Sequence, residues 1–98
     1  MNVAELDEVV YDLEVDGTQV REQLARRVWE HGGWATIAIT FRERDKAGEW
    51  KSPKLTVLRF RRMNEMWQRQ AQFTLARDDA RELASWIGEA LAGVPDAS

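Results

Sequence analysis

Apolar and polar residues alternate with a period of two along most of this chain, and the period changes to about 3.6 only near its end. Val9, Tyr11, Leu13 and Val15 are separated by Val10, Asp12 and Glu14, the near-alternation of a half-buried strand. Asp16-Gly17 follows directly, and Asp-Gly between two such runs predicts a hairpin, because Gly tolerates the positive φ of a type I′ turn. The stretch Thr18 to Trp29 supports two readings. Val20, Leu24 and Val28 fall at helical spacing, whereas Gly32-Gly33 just after Trp29-Glu30-His31 marks another hairpin turn. The turn chemistry favours a strand over roughly 23–30.

Three clearer strands follow. Trp34 to Arg44 sets Ala35, Ile37, Ile39 and Phe41 against Thr36, Ala38, Thr40, Arg42 and Arg44. A loop from Asp45 to Pro53, with Gly48 and Pro53 as breakers, is expected to expose Trp50. Leu55 to Arg62 sets Thr56, Leu58 and Phe60 against Leu55, Val57, Arg59 and Arg61. After a turn near Asn64, Trp67, Arg69, Ala71, Phe73 and Leu75 alternate with Gln68, Gln70, Gln72 and Thr74. A helix over 77–92 completes the chain: Leu83, Trp86, Ile87, Ala90 and Leu91 form one apolar stripe, which places Trp86 in the core. Asp79 and Glu82 have the spacing of a capping box, and Gly93 and Pro95 end the helix.

These elements predict an α+β fold: an antiparallel β-meander of four or five strands with one C-terminal helix packed on one face. The helix is expected to cover the Ile37–Phe41, Leu58–Phe60 and Phe73–Leu75 face, which leaves the opposite face open. The chain reads as a single domain, with 1–16 as an acidic N-terminal strand or arm, 23–75 as the sheet and 77–92 as the helix. Its 98 residues, 44% apolar and 32% charged, suit one small globular unit. No apolar run approaches the roughly 20 residues of a bilayer span, and the start has neither a basic n-region nor an apolar h-region. With no Cys as well, the expected compartment is cytoplasmic.

Charge changes the picture more than composition does. The net charge is −3, but residues 1–20 hold six acids and no base, giving −6. Residues 21–77 hold thirteen bases against six acids, giving +7, and residues 78–98 return −4. A polyanion responds to the local field rather than to the sum, so the basic centre is the lead. The competing reading is that the acidic ends, of the same chain or of a second copy, neutralise that centre.

The open face should carry Trp34, Thr36, Thr40, Arg42, Arg44, Arg59, Arg61, Gln68 and Gln70, with Gln72 beside them. Guanidinium groups bind phosphates bidentately, and Thr and Gln add hydrogen bonds to backbone or base. Arginine rows with aromatic rings between them are what single-stranded nucleic acid needs: a positive track and surfaces on which bases stack. Trp34 and Trp50, flanked by Gly32-Gly33 and Lys51-Ser52, are the tryptophans expected to be exposed; Trp29 and Trp67 are expected to be packed or interfacial. Arg and Gln on a solvated strand face are also common solubility devices.

Little suggests catalysis. His31 stands alone beside Gly32, the acid pairs sit at a chain end and a helix start, and no phosphate-binding Gly loop or metal-spaced cluster occurs. The expectation is a non-enzyme without metal or cofactor.

The stretch from about Arg26 to Leu91 resembles the positive-cofactor transcriptional coactivator family. The resemblance rests on Arg27-Val28-Trp29-Glu30-His31-Gly32-Gly33-Trp34, the basic central strands, and Phe73-Thr74-Leu75 before an acid-started helix. It differs in the acidic segment at Met1–Asp16, and in having Gln68–Gln72 where that family typically has a Lys/Gly run. The resemblance implies a curved sheet that binds single-stranded DNA and a homodimer formed through the helix. A second function class remains beside it: a homo-oligomeric protein–protein interaction or regulatory module without nucleic acid. An N-terminal truncation of residues 1–16 separates a masked nucleic-acid site from an assembly role.

Overall fold

The computed structural model describes residues 2–95 and shows six antiparallel strands in one sheet followed by a helix. β1 is Asn2–Val3, β2 Leu13–Val15, β3 Thr18–His31, β4 Trp34–Glu43, β5 Lys54–Met63 and β6 Met66–Ala76; α1 is Arg77–Ala92. The spatial order is β1-β6-β5-β4-β3-β2, a meander from β2 to β6 closed at its edge by the two-residue β1. Each tight turn uses left-handed backbone. Asp16 and Gly17, Gly32 and Gly33, and Asn64 and Glu65 all have positive φ, the paired signature of two-residue hairpin loops. The helical spacing within 18–29 is overridden, and β3 runs unbroken through that stretch.

The core forms on the face that carries Ala35, Ile37, Ile39 and Phe41 of β4, Leu58 and Phe60 of β5, and Trp67 of β6. What covers it is not the helix. Residues 4–12 cross this face as a strap between β1 and β2, with Val9 fully buried and Val3, Leu6 and Tyr11 packed beside it. A 3₁₀ turn at Leu6–Glu8 lets the strap change direction, and Arg26 donates from its guanidinium to the carbonyls of Val9 at 2.8 Å and Leu6 at 3.2 Å. The segment expected as a strand from Val9 onward is therefore a strand only at Leu13–Val15.

A β-bulge explains why the helix sits elsewhere. Arg59 pairs with Ala71 but Phe60 pairs with Arg69, so Gln70 is an extra residue in β6. One inserted residue reverses the parity of everything beyond it. Trp67 faces the core as alternation predicts, but Phe73 and Leu75 turn to the opposite face, opposite Val57 and Leu55. Gln72 and Thr74 turn inward instead, and their side chains bond the buried Thr56 hydroxyl at 3.0 Å each, while Thr56 donates to the Phe73 carbonyl. Gln72 also donates to the Tyr11 hydroxyl at 3.0 Å. It belongs to the core side, not to the open face.

Helix α1 rests on β5 and β6 at its N-terminal half only. Ala80 and Leu83 are half-buried, and no residue of the helix is fully buried. A groove lined by Thr40 and Leu55 of the sheet and Ala80 and Ala84 of the helix puts α1 on the side opposite the strap. Trp86, expected in the core, is 62% exposed. The helix begins after Ala76, which makes no side-chain cap, so the Asp79–Glu82 spacing is not a capping box. Asp78 and Asp79 lie in the first turn, where they suit the helix dipole. No helix among the described residues is long and apolar enough to cross a membrane.

Candidate nucleic-acid interface

The face opposite the strap is ordered in cross-strand rows running from β3 to β6. Nearest the Gly32-Gly33 turn, His31, Trp34, Arg61 and Gln68 are register neighbours, and the next row is Trp29, Thr36, Arg59 and Ala71. Two rows further from the turn the chemistry changes, to Arg27, Ala38, Val57 and Phe73, then Ala25, Thr40, Leu55 and Leu75. The face thus has a cationic, aromatic end and an apolar middle.

At the cationic end the side chains converge. The guanidinium carbons of Arg59 and Arg61 lie 4.8 Å and 5.2 Å from the Trp34 ring centroid, within cation–π range. Arg27 sits 5.6 Å from the Trp29 ring, which is 45% exposed. Arg27, Arg59 and Arg61 are exposed, and among the described residues none of them forms an ion pair with a carboxylate. Three positive charges and two indoles therefore share one end of the sheet with the hydroxyl of Thr36 and the amide of Gln68. An anion approaching this end meets guanidiniums that, among the described residues, no carboxylate neutralises.

Arg42 and Arg44 are elsewhere. They lie at and just past the far end of β4, about 27 Å and about 33 Å from Trp34 at strand rise, and their charges are already engaged. Arg42 pairs with Glu22 at 3.1 Å, and Arg44 donates to the carbonyls of Gln19 at 2.9 Å and Gly48 at 2.8 Å. Both guanidiniums lie over Trp50, at 4.1 Å and 3.9 Å, which half-buries a ring expected to be exposed. This cluster ties the 45–53 loop to the sheet, helped by the Arg44↔Trp50 bridge. Arg21 and Lys54 are paired with Glu43 at the same end. Thr40 falls in the apolar middle, and Gln70 occupies the bulge, with its side chain turned to the Gln68 carbonyl at 3.4 Å.

Of the nine residues expected on the open face, the structure brings together Trp34, Thr36, Arg59, Arg61 and Gln68. Arg27 and Trp29 join them without having been among the nine. Their place was readable: a two-residue Gly32-Gly33 turn pairs 31 with 34, hence 29 with 36 and 27 with 38, and so puts both on Trp34's face. The acidic strap lies across the opposite face, so it does not mask these guanidiniums. Comparison with protein-family models, curated proteins and solved structures found no match.

Proposed function

We propose that this chain binds single-stranded nucleic acid at the Gly32-Gly33 end of the open face. The observation that carries the reading is the Trp34–Arg59–Arg61 cluster, a half-buried indole under two exposed guanidiniums that, among the described residues, have no carboxylate partner. In this reading Arg27, Arg59 and Arg61 take backbone phosphates, Trp34 and Trp29 offer stacking surfaces, and Thr36 and Gln68 hydrogen-bond to sugar or base. A flexible single strand can turn its bases onto a sheet, whereas a duplex keeps them stacked inside. The resemblance to the positive-cofactor coactivators favours DNA over RNA.

The test is a fluorescence-anisotropy titration with labelled oligo-dT, oligo-rU and a duplex of equal length, each at two salt concentrations. Binding to oligo-dT that weakens with salt and exceeds duplex binding supports the reading. Absence of measurable binding to any oligonucleotide at low salt overturns it.

A further inference from the structure

The chain has a single histidine, His31, and it stands at the cationic end of the open face. It closes β3 directly before the Gly32-Gly33 turn and is the register partner of Trp34, whose row continues to Arg61 and Gln68. Directly opposed residues keep their Cβ atoms about 4.5–5.5 Å apart on one face. The imidazole therefore flanks Trp34 on the β3 side, as Arg61 does on the β5 side. His31 is exposed, and among the described residues it forms no ion pair.

The charges around it leave this position open to an anion. Arg27, Arg59 and Arg61 share its face. Glu30 and Arg62 belong to the strap face, with the buried Ala35 and Trp67 as their register partners, and Glu65 lies in the turn between β5 and β6. No carboxylate belongs to the His31–Trp34–Arg61–Gln68 row or to the Trp29–Thr36–Arg59–Ala71 row beside it.

The guanidiniums of this end are unevenly placed. Arg59 and Arg61 both come from β5, while Arg27 lies four residues from His31, about 13 Å along β3 at strand rise. A nucleotide inside a strand has a phosphate on each side of its base. With a base stacked on Trp34, β5 supplies cations to one of those phosphates. Toward the other, the group in Trp34's own row is His31, about 10 Å from Arg61 at two strand spacings.

We propose that His31 is a further phosphate-binding residue of this site, and that its protonation makes strand binding pH-dependent. The inference rests on the nucleic-acid reading and adds a residue and a regulation to it. Imidazole is the side chain whose ordinary titration falls between about pH 5 and 8, whereas guanidinium stays charged throughout. A phosphate beside the ring binds imidazolium more tightly than neutral imidazole, so strand binding takes up a proton. By linkage, affinity is highest below the imidazole range and falls as pH rises through it.

Anisotropy titrations of the full chain with labelled oligo-dT, over a salt series at about pH 5.5 and at about pH 8.5, test this on either side of that range. The parent should bind about two- to fivefold more tightly at the lower pH, the range of an exposed ion pair. Its slope of log K against log salt should be steeper there by about 0.7, one single-strand phosphate contact. His31→Gln should lose both differences. His31→Lys, charged at either pH, should keep the tighter binding and the steeper slope at both, with circular dichroism confirming the fold of each variant. A pH response equal in the parent and His31→Gln, or no gain by His31→Lys at the higher pH, overturns the inference and leaves the nucleic-acid reading standing. Absence of measurable binding by the parent at either pH in low salt overturns that reading, and the inference with it.

Discussion

Arg27, Arg42, Arg44, Arg59 and Arg61 look interchangeable in the sequence, yet their environments divide them into two kinds. Arg44 holds the 45–53 loop through two carbonyls and an indole, and Arg42 is held by Glu22. Arg27, Arg59 and Arg61 have aromatic neighbours but no carboxylate. Replacing both Arg59 and Arg61 by Ala should therefore cut oligonucleotide affinity and lower the slope of log K against log salt by about 1.4, since each single-strand phosphate contact contributes about 0.7. Thermal stability should hardly change. Arg44→Ala should do the reverse, costing about 2 kcal/mol of stability for its charge-assisted bonds while leaving the salt slope intact. Stacking gives a second contrast. Trp34→Ala should weaken binding about 5- to 150-fold, the equivalent of ~1–3 kcal/mol per stacked base, whereas Trp34→Phe keeps a ring and should keep most of the affinity. Trp50→Ala should leave binding as it is, because that indole lies at the far end of the sheet, over arginines already held by Glu22 and by the Gln19 and Gly48 carbonyls. Anisotropy titrations of the purified variants read affinity and salt slope, and thermal denaturation reads stability. Residue type and strand parity placed Trp34, Arg59 and Arg61 on one face from sequence alone. They could not reveal that Arg42 and Arg44 are spoken for, because Glu22, Gln19 and Gly48 come from other strands and loops.

At the scale of elements, the sequence was legible wherever local chemistry decides the outcome. Turns at Asp16-Gly17, Gly32-Gly33 and Asn64, the strands between them and the helix over 77–92 all follow from period and punctuation. Two features were not local. The bulge at Gln70 leaves no mark in an alternating Gln-Arg-Gln-Ala-Gln run, since any of those residues fits either face, and it alone moves Phe73 and Leu75 off the core side. The strap buries Val9 and packs Leu6 and Val3 beside it at intervals of three, a spacing that is neither the period of two of a strand nor the 3.6 of a helix. Once the strap is recognised as the lid of the core, the effect of removing it changes sign. An N-terminal truncation through residue 12 should not unmask a binding face; it should strip Val9 and Tyr11 from Phe41 and Ile39. Tyr11 packs edge-on against Phe41 at 4.7 Å, with Arg21 4.6 Å from the Tyr11 ring. Val9→Ala alone should cost about 2 kcal/mol. Chemical denaturation of Val9→Ala and dye binding by the truncated chain check this, with loss of cooperative unfolding as the expected truncation phenotype.

Across the whole molecule, the thickness of the sheet separates the acidic strap from the cationic cluster. The slab is only 17 Å in its thinnest dimension, with acidic residues of the strap and β2 on one side and the Arg27–Arg59–Arg61 cluster on the other. A chain of net charge −3 can then attract a polyanion, provided that salt separates the two faces electrically. At about 0.15 M the Debye length is roughly 8 Å, shorter than the path through the sheet; at about 0.01 M it is roughly 30 Å, longer than the molecule is thick. The two regimes predict opposite behaviour for neutralising the acidic side. In Asp7→Asn/Glu14→Gln, both residues are exposed and, among the described residues, neither forms an ion pair. Taking roughly 20 Å to a bound strand with about three phosphates, the two lost charges change binding by about 0.6 kcal/mol at low salt, near threefold, and by about 0.1 kcal/mol at physiological salt. Oligonucleotide affinity should therefore rise about threefold over the parent chain at 0.01 M and match it at 0.15 M. Equal gains at both salts would mean that the strap reaches the bound strand directly, around the edge of the sheet and not through it.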